Sequence, residues 1–166
     1  AHIEFYNEEE LSQIIKRSAA IMEVEIEEDA IATLARCSRG TPRIANRLLR
    51  RLRDFASIMG DGHITVDVVD FGLGRLGIDE QGLERQDRNI LRTIIEFYDG
   101  GPVGAETLSI SVGEAIESLE DFYEPYLIQK GYLKRTPRGR MTTKLAYDLL
   151  NIPCTRNLDD NQGILF

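Results

Sequence analysis

Between Asn7 and Leu73, four runs of residues carry apolar side chains at three- and four-residue spacing, each run opened by a capping residue or closed by glycine. That period belongs to the α-helix and to no strand. Asn7-x-x-Glu10 reads as a capping box, and Leu11, Ile14, Ile15, Ala19 and Met22 continue the helix it opens. A second helix is predicted over about Glu27 to Cys37, with Ile31, Leu34, Ala35 and Cys37 inward. Gly40 ends it. Thr41 as N-cap and Pro42 at the first helical position then open a third helix. One face of that helix carries Ile44, Ala45, Leu48, Leu49, Leu52, Phe55 and Ala56, until Gly60-Asp61-Gly62 breaks it. Thr65 caps a fourth helix, with Val68, Val69 and Leu73, that ends near Gly77. No strand pattern competes, so residues 1–78 are expected to form a compact four-helix domain.

Residues 77–83, polar and punctuated by glycine, read as a boundary. Beyond it the pattern changes. A helix is predicted from about Glu84 to Tyr98, stopped by Gly100-Gly101-Pro102, and a short one from Ala105 to Ser111. A third runs from Glu114 to about Leu127, where Pro125 should kink or divide it. After Gly131, Tyr132 to Arg135 and Arg140 to Met141-Thr142 read as a β-hairpin around a turn at Thr136 to Gly139. A last helix covers Lys144 to Leu150. Helix, helix, helix and hairpin within residues 79–152 is the winged-helix pattern, a helix-turn-helix with a β-ribbon appended. Residues 153–166 are polar without periodicity and are expected to be a loosely held tail. The fold class is therefore mainly α: a helical domain followed by a winged helix with one β-hairpin wing.

At 166 residues and 42% hydrophobic, the chain is too apolar for disorder. No apolar run approaches the ~20 residues of a membrane span. The opening AHIEFYNEEE has no basic or apolar leader region, so no signal peptide is expected. It also lacks an initiator Met, as expected of a piece of a longer protein. Cys37 and Cys154 lie far apart, which excludes a disulfide framework and fits a cytoplasmic protein. Cys37 reads as core and Cys154 as an exposed bystander.

The net charge of −8 argues against a dedicated nucleic-acid binder, but the charges are segregated. From Arg36 to Arg53 there are seven arginines and no acid; from Lys130 to Lys144 there are six cations and no acid. A polyanion docks by local field rather than net charge.

Phosphate-binding, dinucleotide and zinc-protease signatures are all absent. His2 and His63 are isolated, no metal site is expected, and no complete active site is encoded. Arg43, directly behind Pro42, sits at a helix N-terminus, where backbone N–H groups and a guanidinium suit a phosphate. The competing reading is an arginine that caps a neighbouring helix end. Arg138 and Arg140 flank Gly139 at the hairpin tip with no acid nearby in sequence, and Lys134 and Arg135 stand behind them. Phosphate-backbone contact is the economical reading of such a tip; a merely soluble hairpin is the alternative. The helix expected to act as the recognition helix is acidic, with Glu114, Glu117, Glu120 and Asp121. The wing rather than that helix is therefore expected to meet DNA, without sequence specificity.

Ser38 to Ala56, which contains Ser38-Arg39-Gly40-Thr41-Pro42-Arg43, resembles the sensor-2 helix of the RuvB family, the bacterial Holliday-junction branch-migration motors of the AAA+ class. Gly100 to Gly104, Glu124 to Gly131 and Arg135 to Arg140 resemble segments of that family's C-terminal winged helix. The resemblance runs from Ile3 to about Leu150. It implies an AAA+ lid followed by a DNA-binding winged helix, without the P-loop domain. It implies that Arg43 is the sensor-2 arginine, reporting the γ-phosphate of ATP, and that Tyr6 and Pro42 line the adenine pocket. ATP or ADP with Mg would be held mainly by the domain absent from these residues. Implied partners are duplex DNA at Holliday junctions, RuvA and further copies in a hexamer, with roles in recombination, repair and the SOS response. Arg47, Arg50, Arg51 and Arg53 are expected on a solvated or inter-subunit face. Two other readings stay open from the residues alone. One is a standalone winged-helix regulator, which would want a basic recognition helix; the other is a protein-interaction module without a nucleic-acid role.

Overall fold

The computed structural model describes residues 5–155. The chain packs as two compact units, which divide between Glu84 and Arg85. His2, Ile3 and the tail from residue 156 onward lie outside the described residues.

In the first unit, α1 (Glu8–Ile21), α2 (Glu28–Arg36), α3 (Pro42–Met59) and α4 (Val66–Arg75) follow the expected order. The capping box forms: Glu10 N–H donates to Asn7 Oδ1 at 2.8 Å and Asn7 N–H to Glu10 Oε1 at 3.2 Å. Thr41 and Thr65 cap α3 and α4 through their hydroxyls, accepting from Ile44 and Val68 N–H. Leu11, Ile15, Leu34, Leu49, Leu52 and Ile64 are fully buried in one core shared by the four helices.

Two features of this unit were not expected. Ile26 and Ile64 form a parallel β-bridge, with Ile64 N–H on Glu25 O at 2.9 Å and Glu27 N–H on Ile64 O at 3.0 Å. It ties the α1–α2 loop to the α3–α4 loop. The segment 79–84 also packs within this unit rather than opening the next one. Arg36 Nε donates to Glu80 O at 3.0 Å, and Asp79 accepts from Gln81 and Leu83 N–H at 2.9 Å each. These polar, glycine-bearing residues at the boundary fold into a turn closed by their own aspartate.

The second unit contains α5 (Arg85–Tyr98), α6 (Ala105–Val112), α7 (Ile116–Ser118), a π turn (Leu119–Tyr123), α8 (Glu124–Gln129), β1 (Leu133–Thr136), β2 (Gly139–Thr142) and α9 (Lys144–Leu149). The helix expected over 114–127, with Pro125 disturbing it, starts at Ile116, carries a π turn over Leu119–Tyr123 and runs on through α8 to Gln129. Pro125 has no N–H, and its ring crowds the carbonyl of Asp121 four residues back. The turn widens in response, and Glu124 N–H bonds Leu119 O, five residues back.

The hairpin register is Leu133↔Thr142, Lys134↔Met141, Arg135↔Arg140 and Thr136↔Gly139. Thr136 Oγ1 pins the turn, accepting from Arg138 N–H at 3.3 Å and donating to Gly139 O at 2.9 Å. Val103 adds a short third strand by an antiparallel bridge to Arg140.

Candidate functional site

The loop that launches α3 is built on a buried base. Ser38 and Arg39 are buried, Arg39 with a left-handed φ of 54°, and Ser38 Oγ donates to Leu34 O at 2.5 Å. Tyr6 N–H donates to Gly40 O at 2.8 Å, which places Tyr6 beside the loop. Phe5 packs onto Gly40 so closely that a Cβ there would lie 2.6 Å from the phenyl ring. Tyr6 and Pro42 are each half-buried, and Arg43 is exposed. Phe5 was not singled out from sequence, because only the folded loop brings it to Gly40.

Pro42 and Arg43 thus open an 18-residue helix, while Tyr6, beside the loop through its backbone, packs against the hydrophobic core of this unit. The Arg43 side chain has no ion pair among the described residues, so the helix-capping reading has no contact to support it. A half-buried aromatic, a prolyl ring and an unpaired guanidinium at a helix N-terminus fit the base and phosphate of a nucleotide. Farther along α3, Arg47, Leu48, Arg51, Leu76, Ile78 and Glu84 line an open groove of about 360 Å³. Arg47, Arg50 and Arg51 are exposed. Arg53 lies 3.7 Å from Asp54.

The wing differs from its expected electrostatics. Arg140 is not an unpaired cation at the tip: its Nε donates to Glu124 Oε1 at 2.6 Å and its Nη2 to Glu120 Oε1 at 3.1 Å. Arg135 also pairs with Glu124, through Nε at 3.0 Å and through Nη2. The Glu124 side chain is 0% exposed and that of Arg140 is 14% exposed. The acids are absent from the neighbouring sequence because they arrive from the π turn and α8. Arg138 at the turn is exposed and Lys134 half-exposed, and neither side chain has an ion pair among the described residues. Glu124 and Glu120 were missed as site residues. They lie 11, 16 and 20 positions from the arginines they pair with, so nothing in the local sequence marked them.

Glu117, Glu120 and Asp121 are exposed, so the third helical segment does present an acidic face. Cys37 is buried, with Sγ 3.6 Å from Asp79 O; Cys154 is half-buried rather than fully exposed. Among the described residues there is no cluster of three metal-ligating side chains, and no helix is long and apolar enough to cross a membrane.

Two family models match in tandem: the RuvB AAA lid domain over residues 6–79 and the RuvB C-terminal winged helix domain over residues 80–151. This chain belongs to the RuvB family. It is 60% identical over 161 residues to the Holliday junction branch migration complex subunit RuvB of Treponema denticola, covering 97% of this chain and 47% of that protein. It is 58% identical over 167 residues to the subunit of the same name from Borreliella afzelii, of which it spans 48%. Among solved structures, the Thermotoga maritima RuvB Holliday junction branch migration motor superposes with a TM-score of 0.86 at 48% identity, over 91% of this chain and 51% of that one. The chain therefore spans about half the length of its RuvB relatives. The family's two domain matches meet at 79/80, whereas the packing divides the chain at 84/85.

Proposed function

We propose that this chain is the lid and winged-helix part of an ATP-dependent DNA translocase that drives branch migration of Holliday junctions in homologous recombination and repair. The observation that carries the reading is Arg43: an exposed guanidinium without an ion pair among the described residues, at the start of an 18-residue helix, in a RuvB lid domain. Bound nucleotide supplies the phosphoanhydride whose hydrolysis powers movement. Arg43 reports its γ-phosphate, and Tyr6 and Pro42 form the edge of the base pocket. Mg and the P-loop contacts come from outside these residues, so the 166-residue chain has no turnover by itself.

A guanidinium that binds the triphosphate and diphosphate states differently shifts the lid between two positions. The winged helix turns that shift into force on duplex DNA. Arg138 and Lys134 supply the phosphate contacts, and the exposed part of Arg135 adds to them, while Arg140 supports the wing from behind. Phosphate contact without base readout suits a motor that moves along any sequence. RuvA, further copies in a hexameric ring and a cytoplasmic location complete the reading. The acidic face at Glu117, Glu120 and Asp121 disfavours a sequence-reading regulator.

The test is Arg43→Ala in the whole RuvB-family protein. A lost charge-assisted contact to the transferred phosphate costs about 2–4 kcal/mol of transition-state stabilisation. ATPase and branch migration are expected to fall together, with unchanged thermal stability. Wild-type ATPase in this variant refutes the sensor role.

A further inference from the structure

Arg135 and Arg140 are register partners in a two-stranded hairpin, so their side chains leave the same face of the ribbon directly opposite each other. Like charges in that relation push strands apart, and strands of four residues have little else to hold them. Yet both guanidiniums close on a single carboxylate, the fully buried side chain of Glu124. Glu124 stands where the π turn of Leu119–Tyr123 gives way to α8, and such turns concentrate at functional sites. Glu120, from the same π turn, takes the remaining side of Arg140.

Two arginines and two glutamates make this network electroneutral, so it contributes shape to the wing more than field. Its consequence is orientation. Arg140 is tied to α8 by Glu124 and to Val103 by its backbone, and Arg135 is tied to α8 across the ribbon. The Pro137-Arg138 turn is then carried on two strands whose angle to the helices is set. Arg135 keeps 46% of its side chain exposed while its Nε and one Nη2 hydrogen serve Glu124, which leaves its Nη1 group for a phosphate.

We propose that Glu124 is a positioning residue for DNA contact: it clamps Arg135 and Arg140 so that Arg138 and the outer edge of Arg135 meet the phosphate backbone as a preformed unit. The proposal rests on the wing reading above and makes a counter-intuitive claim about sign. Removing a carboxylate beside cations should strengthen binding to a polyanion if charge alone matters. Losing a preformed arrangement of arginines weakens it instead.

The experiment is an NMR titration of the ¹⁵N-labelled 166-residue chain with a short duplex, run for wild type, Glu124→Gln, Glu124→Asp and Arg138→Ala. In Glu124→Gln the duplex affinity is expected to fall about five-fold, the loss of pre-ordering in two long side chains outweighing the charge gained. The Nε–Hε resonances of Arg135 and Arg140 are expected to be slowly exchanging in wild type and averaged in the variant, while core amides such as Ile90 and Leu127 keep their positions. Glu124→Asp retains the charge but draws the carboxylate back, and is expected to lose about two-fold. If the Gln variant fails to fold, the Asp variant decides. Equal or tighter binding by a folded Glu124→Gln, or wild-type binding by Glu124→Asp, overturns the positioning role. Wild-type affinity in Arg138→Ala instead refutes the wing reading on which the proposal rests.

Discussion

Val103 and Arg140 exchange both of their backbone hydrogen bonds, Val103 N–H to Arg140 O at 3.0 Å and Arg140 N–H to Val103 O at 2.8 Å. The second strand of the wing is therefore paired on both sides, by β1 and by the loop after α5. That contact is closer than most side chains allow. A Cβ on Gly139 would lie 2.4 Å from Val103 O, and one on Gly101 would lie 2.4 Å from Arg140 O. The wing sits against the helical part of its own unit because these two positions have no side chain.

Gly139→Ala tests that fit. Gly139 has a φ of +137°, which few L-residues adopt, and the added methyl meets main chain that cannot step aside. A loss of about 2–3 kcal/mol is expected. Denaturant unfolding followed by circular dichroism measures it. Unchanged stability would mean that the wing does not pair with Val103 in solution.

Arg138 and Arg140 are expected to behave as opposites, although sequence treats them alike. In the whole protein, Arg138→Ala should weaken duplex binding uniformly across sequences and flatten the logarithmic salt dependence by about one unit, with no change in stability. Arg140→Ala removes one partner of a buried carboxylate and should cost about 3 kcal/mol of stability. Its own effect on the salt slope should be small, since its charge is already matched by Glu124 and Glu120. Salt titrations and melting curves on the two single variants separate these roles. Equal salt slopes for both would place Arg140 on the DNA as well.

The two faces of α3 give a stability contrast in the first unit. Leu49 is 0% exposed and Ile58 is 83% exposed on the same helix. Leu49→Ala should cost about 3 kcal/mol through lost burial and the cavity left behind. Ile58→Ala should stay within about 0.5 kcal/mol. Chemical denaturation of the two variants measures the difference; comparable losses would mean that Ile58 is covered in solution.

Much of the helical framework is local in origin and was legible. Asn7 and Glu10 satisfy each other within one turn, Thr41 and Thr65 bond N–H groups three residues on, and Pro42 sits where its missing N–H costs nothing. The α1 to α4 bounds fall within two residues of those predicted for this reason. The position of Arg43 at a helix start was legible for the same reason, since Pro42 and Thr41 fix where α3 begins; its phosphate role was implied only by the family resemblance.

What tertiary structure decided is everything that depends on partners distant along the chain. Ile26 meets Ile64 and Val103 meets Arg140 as single bridges too short for any strand period to announce. Pro125 announced a disturbance, but not whether it would be a kink or a π turn, nor that Glu124 beside it would be buried under the hairpin. The charge of the wing shows the limit most plainly. Read along the chain, Lys130 to Lys144 is six cations without an acid. Along the chain Glu124 lies 16 positions from Arg140 and 11 from Arg135, yet in space it pairs with both and, with Glu120, balances their charge. Capping and periodicity act over a few residues and are written in order along the chain, whereas electrostatic pairing acts through space and is set only when the fold brings α8 beneath the hairpin.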